Sequence, residues 1–263
     1  MSLLQAIILA IIEGLTEFLP VSSTGHMILA QSLMHIQDHE FVKTFEIVIQ
    51  LGAILAVLVL YIRRFFVGIT IYLKLFVAFL PAVFGGLLAY KIIKQYLFNP
   101  FVVSVALIIG GVVLILLDRW SEQKQAVYKD LEDISYGGAL KIGVIQCVSM
   151  IPGVSRAAAT IFGGIFAGFD RKQAAEFSFL LAIPTMFAAS AKDLWESREL
   201  LTAETAGLLL AGSVVAFFVA AVAVKAFVAF LTRYGFKYFG YYRILLGILF
   251  LAYALYTGLK LTV

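Results

Sequence analysis

Two short stretches of this sequence gather the side chains that can do chemistry. Glu13, Glu17, Ser22, Ser23, Thr24 and His26 fall within fourteen residues, and Ser155, Arg156 and Thr160 fall within six. Glu13 and Glu17 are four apart and share one helix face. Two like carboxylates there repel unless a cation, an arginine or a shared proton intervenes. A divalent metal that also contacts phosphate oxygens would serve, and so would protonation of one acid. Ser22, Ser23 and Thr24 stand at the start of one helical segment and Ser155 at the start of another. Helix N-termini offer unpaired N–H donors and a positive dipole end. Two such ends facing one cavity form an anion site, and Arg156 adds a planar fork for phosphate. Ser22 or Thr24 taken singly reads as a helix cap. Ser23 reads as a nucleophile, because Glu17 and His26 are close enough in sequence to act as its base or acid.

The elements that must position these groups belong to a membrane protein. Of the 263 residues, 62% are hydrophobic and 14% charged, with a mean hydropathy of +1.01. A soluble domain averages about 25% charged residues, so lipid is the solvent this composition calls for. Six apolar segments are long enough to cross, beginning at Phe45, Ile69, Phe101, Phe177, Ala206 and Phe239. Four others are Leu3–Leu19, Thr24–Met34, Ala139–Ile151 and Ala157–Phe169. The last three would rise only about 16–20 Å, and the first carries the two glutamates. They pair through Pro20-Val21-Ser22-Ser23 and Pro152-Gly153-Val154-Ser155, where proline stops one helix and a hydroxyl caps the next. Each pair reads as a re-entrant hairpin.

The two turns form an internal repeat. Pro20 matches Pro152 and Ser23 matches Ser155; Thr44–Glu46 parallels Ala175–Phe177, and Phe98–Pro100 parallels Phe236–Tyr238. The expected architecture is an all-α polytopic membrane protein with six transmembrane helices plus two re-entrant helical hairpins. It is one membrane domain, residues 1–263, with repeat one about 1–118 and repeat two about 135–263. Three crossings per half is an odd number, so the second half is inverted, as in transporter-like folds with a site near the midplane.

Of the twenty basic residues, thirteen fall on one face, Arg243 among them, and six on the other, including Lys43, Lys94 and Lys260. The richer face, which also holds Lys124, is expected to be cytoplasmic, with both termini and the mouth of the first hairpin outside. The N-terminus has no basic region and Glu13 interrupts its apolar run, so no cleaved signal peptide is expected. The single cysteine, Cys147, excludes an intramolecular disulfide, and no dense basic tract suggests nucleic acid. His35 and His39 read as solvated loop residues, and Tyr238–Tyr242 as interface anchors. Glu46, Gln50 and Glu176, near the starts of crossings, read equally as structural or functional.

Glu13-Gly14-Leu15-Thr16-Glu17-Phe18-Leu19-Pro20-Val21-Ser22-Ser23-Thr24-Gly25-His26, together with Pro152-Gly153-Val154-Ser155-Arg156 and Thr160, resembles undecaprenyl-pyrophosphate phosphatase, the bacitracin-resistance family, over essentially the whole chain. The resemblance implies hydrolysis of undecaprenyl pyrophosphate to the monophosphate, which recycles the carrier lipid of cell-wall synthesis and confers bacitracin resistance. It implies a bacterial membrane location and a divalent cation, Mg2+ or Ca2+, while the charge bias and the polar wall of the first hairpin lead to the expectation of a cavity open to the outer face. A homodimer is compatible with it. Carried over by position, Ser23, His26, Glu17 and Arg156 are catalytic. Arg156, flanked by Ser155 and Thr160, is expected to bind phosphate, with Ser22 and Thr24 at the other helix start added to that set. Glu13 and Glu17, as the acidic pair, are expected to hold the metal. One departure is Ala157, where the family pattern has serine. Ser23-Thr24-Gly25-His26 is also superficially like the phosphatidate-phosphatase type. That class needs a later histidine nucleophile, and none follows His39. The alternative function is a lipid-phosphate flippase or transporter.

Overall fold

The computed structural model describes residues 1–37, 40–66, 68–92, 96–97, 99–123, 126–196 and 198–259. His39, Lys94, Phe98, Lys124 and Lys260 lie outside the described residues. The described residues hold ten α-helices and no strand. Six are long and apolar enough to cross a membrane: α3 (Glu40–Leu60), α4 (Ile69–Ile92), α5 (Pro100–Glu122), α8 (Arg171–Glu196), α9 (Ala203–Tyr234) and α10 (Lys237–Thr257). Four are short: α1 (Leu3–Thr16), α2 (Ser23–Leu33), α6 (Tyr136–Gln146) and α7 (Arg156–Ala167). The chain is an all-α polytopic membrane protein.

The short helices pair as α1 with α2 and α6 with α7, each pair joined by a proline-containing turn. The apolar stretches alone set some boundaries differently. α8 begins at Arg171, six residues before the apolar run, because Asp170 and Gln173 exchange capping hydrogen bonds ahead of it. α6 stops at Gln146, and a 3-10 turn over Cys147–Met150 carries the chain to Pro152.

α1 lies against α9, and α6 against α4; α3 meets α8, and α5 meets α10. Small residues let these backbones approach, which is how helices associate where lipid supplies no hydrophobic drive. A Cβ on Gly111 would sit 2.6 Å from the Gly240 carbonyl oxygen, and a Cβ on Gly240 would sit 2.6 Å from that of Gly111. Phe177, Phe179, Leu181 and Phe236 are fully buried at the centre, while Leu88, Phe218 and Leu255 face outward. At one end Arg64 pairs with Asp130 and Glu176, and Arg171 with Asp118, at 2.8–3.2 Å. Glu176 is thus a structural ion-pair partner. His35 is exposed, in agreement with the expectation of a solvated loop.

Candidate active site

The two turns start their helices in the same unusual way. Ser22 caps α2 with φ 70° and accepts from Gly25 N–H at 3.4 Å; Ser155 caps α7 with φ 74° and accepts from Ala158 N–H at 3.2 Å. Positive φ in a non-glycine residue costs on the order of 1–3 kcal/mol and gathers at functional sites. Ser22 and Ser155 are thus the two caps, and Ser23 and Arg156 are each the first residue of the helix that follows.

The tips meet around a cavity of ≈ 150 Å³ lined by Glu17, Ser22, Ser23, Thr24, Gln50, Ser149, Gly153, Ser155 and Arg156, among others. Water occupies about 30 Å³ per molecule in the liquid, so this space suits a small polar head group. Ser155 Oγ reaches across to the Leu19 carbonyl at 3.5 Å. Glu17 is the C-cap of α1 and keeps helical dihedrals, which leaves it one turn above Glu13 on the same face.

Glu17 is the hub. Ser23 Oγ donates to Glu17 Oε2 at 2.6 Å, and Arg156 Nη2 donates to Glu17 Oε1 at 3.4 Å. Arg156 Nη1 donates to the Ser178 carbonyl at 3.1 Å, and its guanidinium lies 5.8 Å from the Phe18 ring centroid. Its buried Nε has no partner. The fork is therefore already steered by the protein, and each Nη carries a second N–H beyond these bonds. A hydroxyl held by a carboxylate, beside an arginine and two helix N-termini, can activate oxygen against a phosphorus centre.

Not every expected residue reaches the cavity. His26 Nδ1–H donates to the Ser22 carbonyl at 2.7 Å, so Nε2 accepts from Tyr242 O–H, also at 2.7 Å. His26 stacks on Tyr242 with centroids 5.6 Å apart and does not line the cavity. Thr160 is fully buried behind it. Its hydroxyl donates to the Arg156 carbonyl at 2.9 Å and meets Ser178 Oγ at 2.6 Å, fixing α7 to the turn of α8 that supports Arg156. Ala157 is also fully buried, so of the second motif's hydroxyls only Ser155 faces the cavity.

Gln50 and Ser149 line the cavity, although Gln50 carried no clear signal and Ser149 none. Arg243 corrects the charge count. It is not a cytoplasmic surface residue but is fully buried. Its signal was an arginine set within the apolar run of α10, which the loop-charge reading absorbed.

For a divalent cation the donors fit in part. Glu13 is buried, and its Oε1 has no hydrogen-bond partner, a cost of about 1–3 kcal/mol that a cation or proton would relieve. Among the described residues no group of three His, Cys, Asp or Glu forms a metal cage. Of the two, only Glu17 lines the cavity; Glu13 lies one turn away on the same face of α1, so the pair would offer a magnesium ion two carboxylates at most.

The sequence model of the family described as "Bacitracin resistance protein BacA" matches residues 6–249. The chain belongs to this family. A protein of Flavobacterium johnsoniae named undecaprenyl-diphosphatase is 52% identical over 254 residues, covering 95% of this chain and 96% of that one. One of Bdellovibrio bacteriovorus with the same name is 49% identical over 258 residues, 98% of each chain. The BacA match runs from within α1 to within α10, so both halves of the tip cavity lie inside it.

Proposed function

We propose that this BacA-family chain hydrolyses undecaprenyl pyrophosphate to undecaprenyl phosphate and inorganic phosphate. The observation that carries the mechanism is the 2.6 Å hydrogen bond from Ser23 to Glu17 inside the cavity where the two helix starts meet. Membership of the family and the printed name of its relatives supply the substrate.

Ser23 Oγ attacks the terminal phosphorus while its proton passes to Glu17 Oε2. The bond from that phosphorus to the bridging oxygen breaks, and undecaprenyl phosphate leaves. Glu17 gives that proton to the departing phosphate oxygen, and the freed carboxylate then takes a proton from water, whose oxygen attacks the phosphorus. The phosphorus–Oγ bond breaks, inorganic phosphate leaves and Glu17 returns the proton to Ser23 Oγ. Arg156 and the N–H groups of α2 and α7 offset the charge on the transferring group. Glu17, not His26, handles the proton, because both His26 nitrogens are engaged elsewhere. His26 instead holds the start of α2 against α10. A magnesium ion bound by Glu13 and Glu17 would neutralise phosphate oxygens and relieve the repulsion between the two acids.

Purified protein in detergent is expected to release phosphate from undecaprenyl pyrophosphate with no second compartment present, which separates hydrolysis from transport. Chelation is expected to lower turnover at least about tenfold, and Glu13→Gln to reproduce part of that loss and flatten the magnesium dependence. Undiminished turnover in chelator would remove the metal from the scheme.

The second half of the chain is read as the inverted counterpart of the first, with two re-entrant hairpins. The corresponding packing of α1 on α9 and α6 on α4 supports this. The excess of basic residues on the opposite face favours a cavity open to the outer side of the bacterial cytoplasmic membrane. Thr24 is an exposed cavity residue. In a Cys147→Ala background, Thr24→Cys is expected to react with a membrane-impermeant thiol reagent in intact cells. Labelling only after the inner face is opened would reverse the orientation.

A further inference from the structure

Arg243 sits under both turns at once. It is fully buried, and its guanidinium donates to five backbone carbonyls: Leu107 at 3.4 Å, Pro20 at 3.0 Å, Val154 at 2.9 Å, Ala106 at 3.1 Å and Gly153 at 2.8 Å. Pro20 belongs to the first turn and Gly153 and Val154 to the second, while Ala106 and Leu107 belong to α5. Among the described residues no carboxylate forms an ion pair with it. The fold makes room for it: a Cβ on Gly110 would fall 2.2 Å from Arg243 Nη2.

A buried charge without a counter-ion is expensive, and an apolar side chain of similar volume usually serves stability as well or better. Five carbonyl dipoles gathered on one guanidinium therefore point to a task beyond packing. A trans peptide is planar, so a carbonyl drawn toward Arg243 turns the next N–H the opposite way. Holding the Val154 carbonyl fixes the peptide that leads into Ser155, and holding Pro20 fixes the approach to Ser22. From these two strained caps α7 and α2 begin, with Arg156 and Ser23 as their first residues.

We propose that Arg243 is a positioning residue for the reaction. It ties the two turns to each other and to α5, and so sets the separation at which Ser23 and Arg156 both reach Glu17. Only a planar fork with five donors can do this; the ammonium of lysine keeps the charge but offers three donors from one point. The inference rests on the tip cavity being the reaction site.

The test uses Arg243→Lys and Gly110→Ala in purified full-length protein, with Ser23→Ala as reference. Gly110→Ala keeps Arg243 but displaces its guanidinium. Both variants are expected to elute as folded protein, with kcat lowered on the order of 10²-fold and KM changed only a few-fold. Folded variants with kcat near wild type, beside an inactive Ser23→Ala, would overturn the role of Arg243 and leave the site reading intact. A fully active Ser23→Ala would instead strike at the site reading. Failure of both variants to fold would make Arg243 a general structural tie and overturn its assignment to the reaction.

Discussion

Arg156→Ala is expected to lower kcat by about 10³-fold, within the range for removing an arginine that stabilises a transferring phosphoryl group. Among the described residues, Arg156 is the only basic one lining the cavity. It is committed through Nη2 to Glu17 and through Nη1 to the Ser178 carbonyl, with buried Nε still unpartnered. Its removal takes away the charge facing the phosphates and also removes one of the groups that hold Glu17. Arg156→Lys restores charge without the fork and is expected to fall between wild type and alanine, about 10²-fold down. Steady-state phosphate release by detergent-purified variants, with elution volume as the check on folding, reads both effects. Arg156→Lys at wild-type rate would deny any role to the fork, and an active Arg156→Ala would deny the charge as well.

Ser23→Ala is expected to be the most damaging single change, lowering kcat by at least about 10⁴-fold if Ser23 forms the bond to phosphorus. The 2.6 Å hydrogen bond to Glu17 already presents the hydroxyl with its base in place. Rapid acid quench of wild type during turnover should then trap phosphate on Ser23. A Ser23→Ala variant retaining turnover within about 10²-fold, with no trapped phosphoserine, would mean that an attacking water takes the proton path to Glu17 and Ser23 only orients it. Phosphate trapped on His26 would contradict the geometry, since Nδ1 and Nε2 are both engaged in the structure. Glu17→Gln distinguishes base from scaffold. Glutamine keeps an acceptor for Ser23 but cannot take its proton, so both schemes require it to be nearly inactive.

Composition and spacing determined much of this protein. Apolar runs of crossing length dictate six long helices because lipid leaves backbone polar groups no partner but the helix itself. The two proline–serine turns marked the helix breaks, and the charges beside them marked the site, because ionisable groups inside a membrane are costly and are retained for a task. Glu17, Ser22, Ser23, Thr24, Ser155 and Arg156 could be picked out in this way, and all line one cavity. Tertiary structure decided what local spacing could not. His26 is close to Ser23 in sequence, yet helical geometry turns it toward the Ser22 carbonyl and Tyr242, which is 216 residues away. Thr160 lies one turn after Arg156, and that turn points it into the α7–α8 contact instead of the cavity. Arg243 looked like one more topology charge. Its role depends on carbonyls from three separate segments converging on one point, and backbone carbonyls leave no trace in residue identity. Side chains announce their chemistry in the sequence, whereas the direction in which a turn aims its peptide groups is settled only when the helices pack.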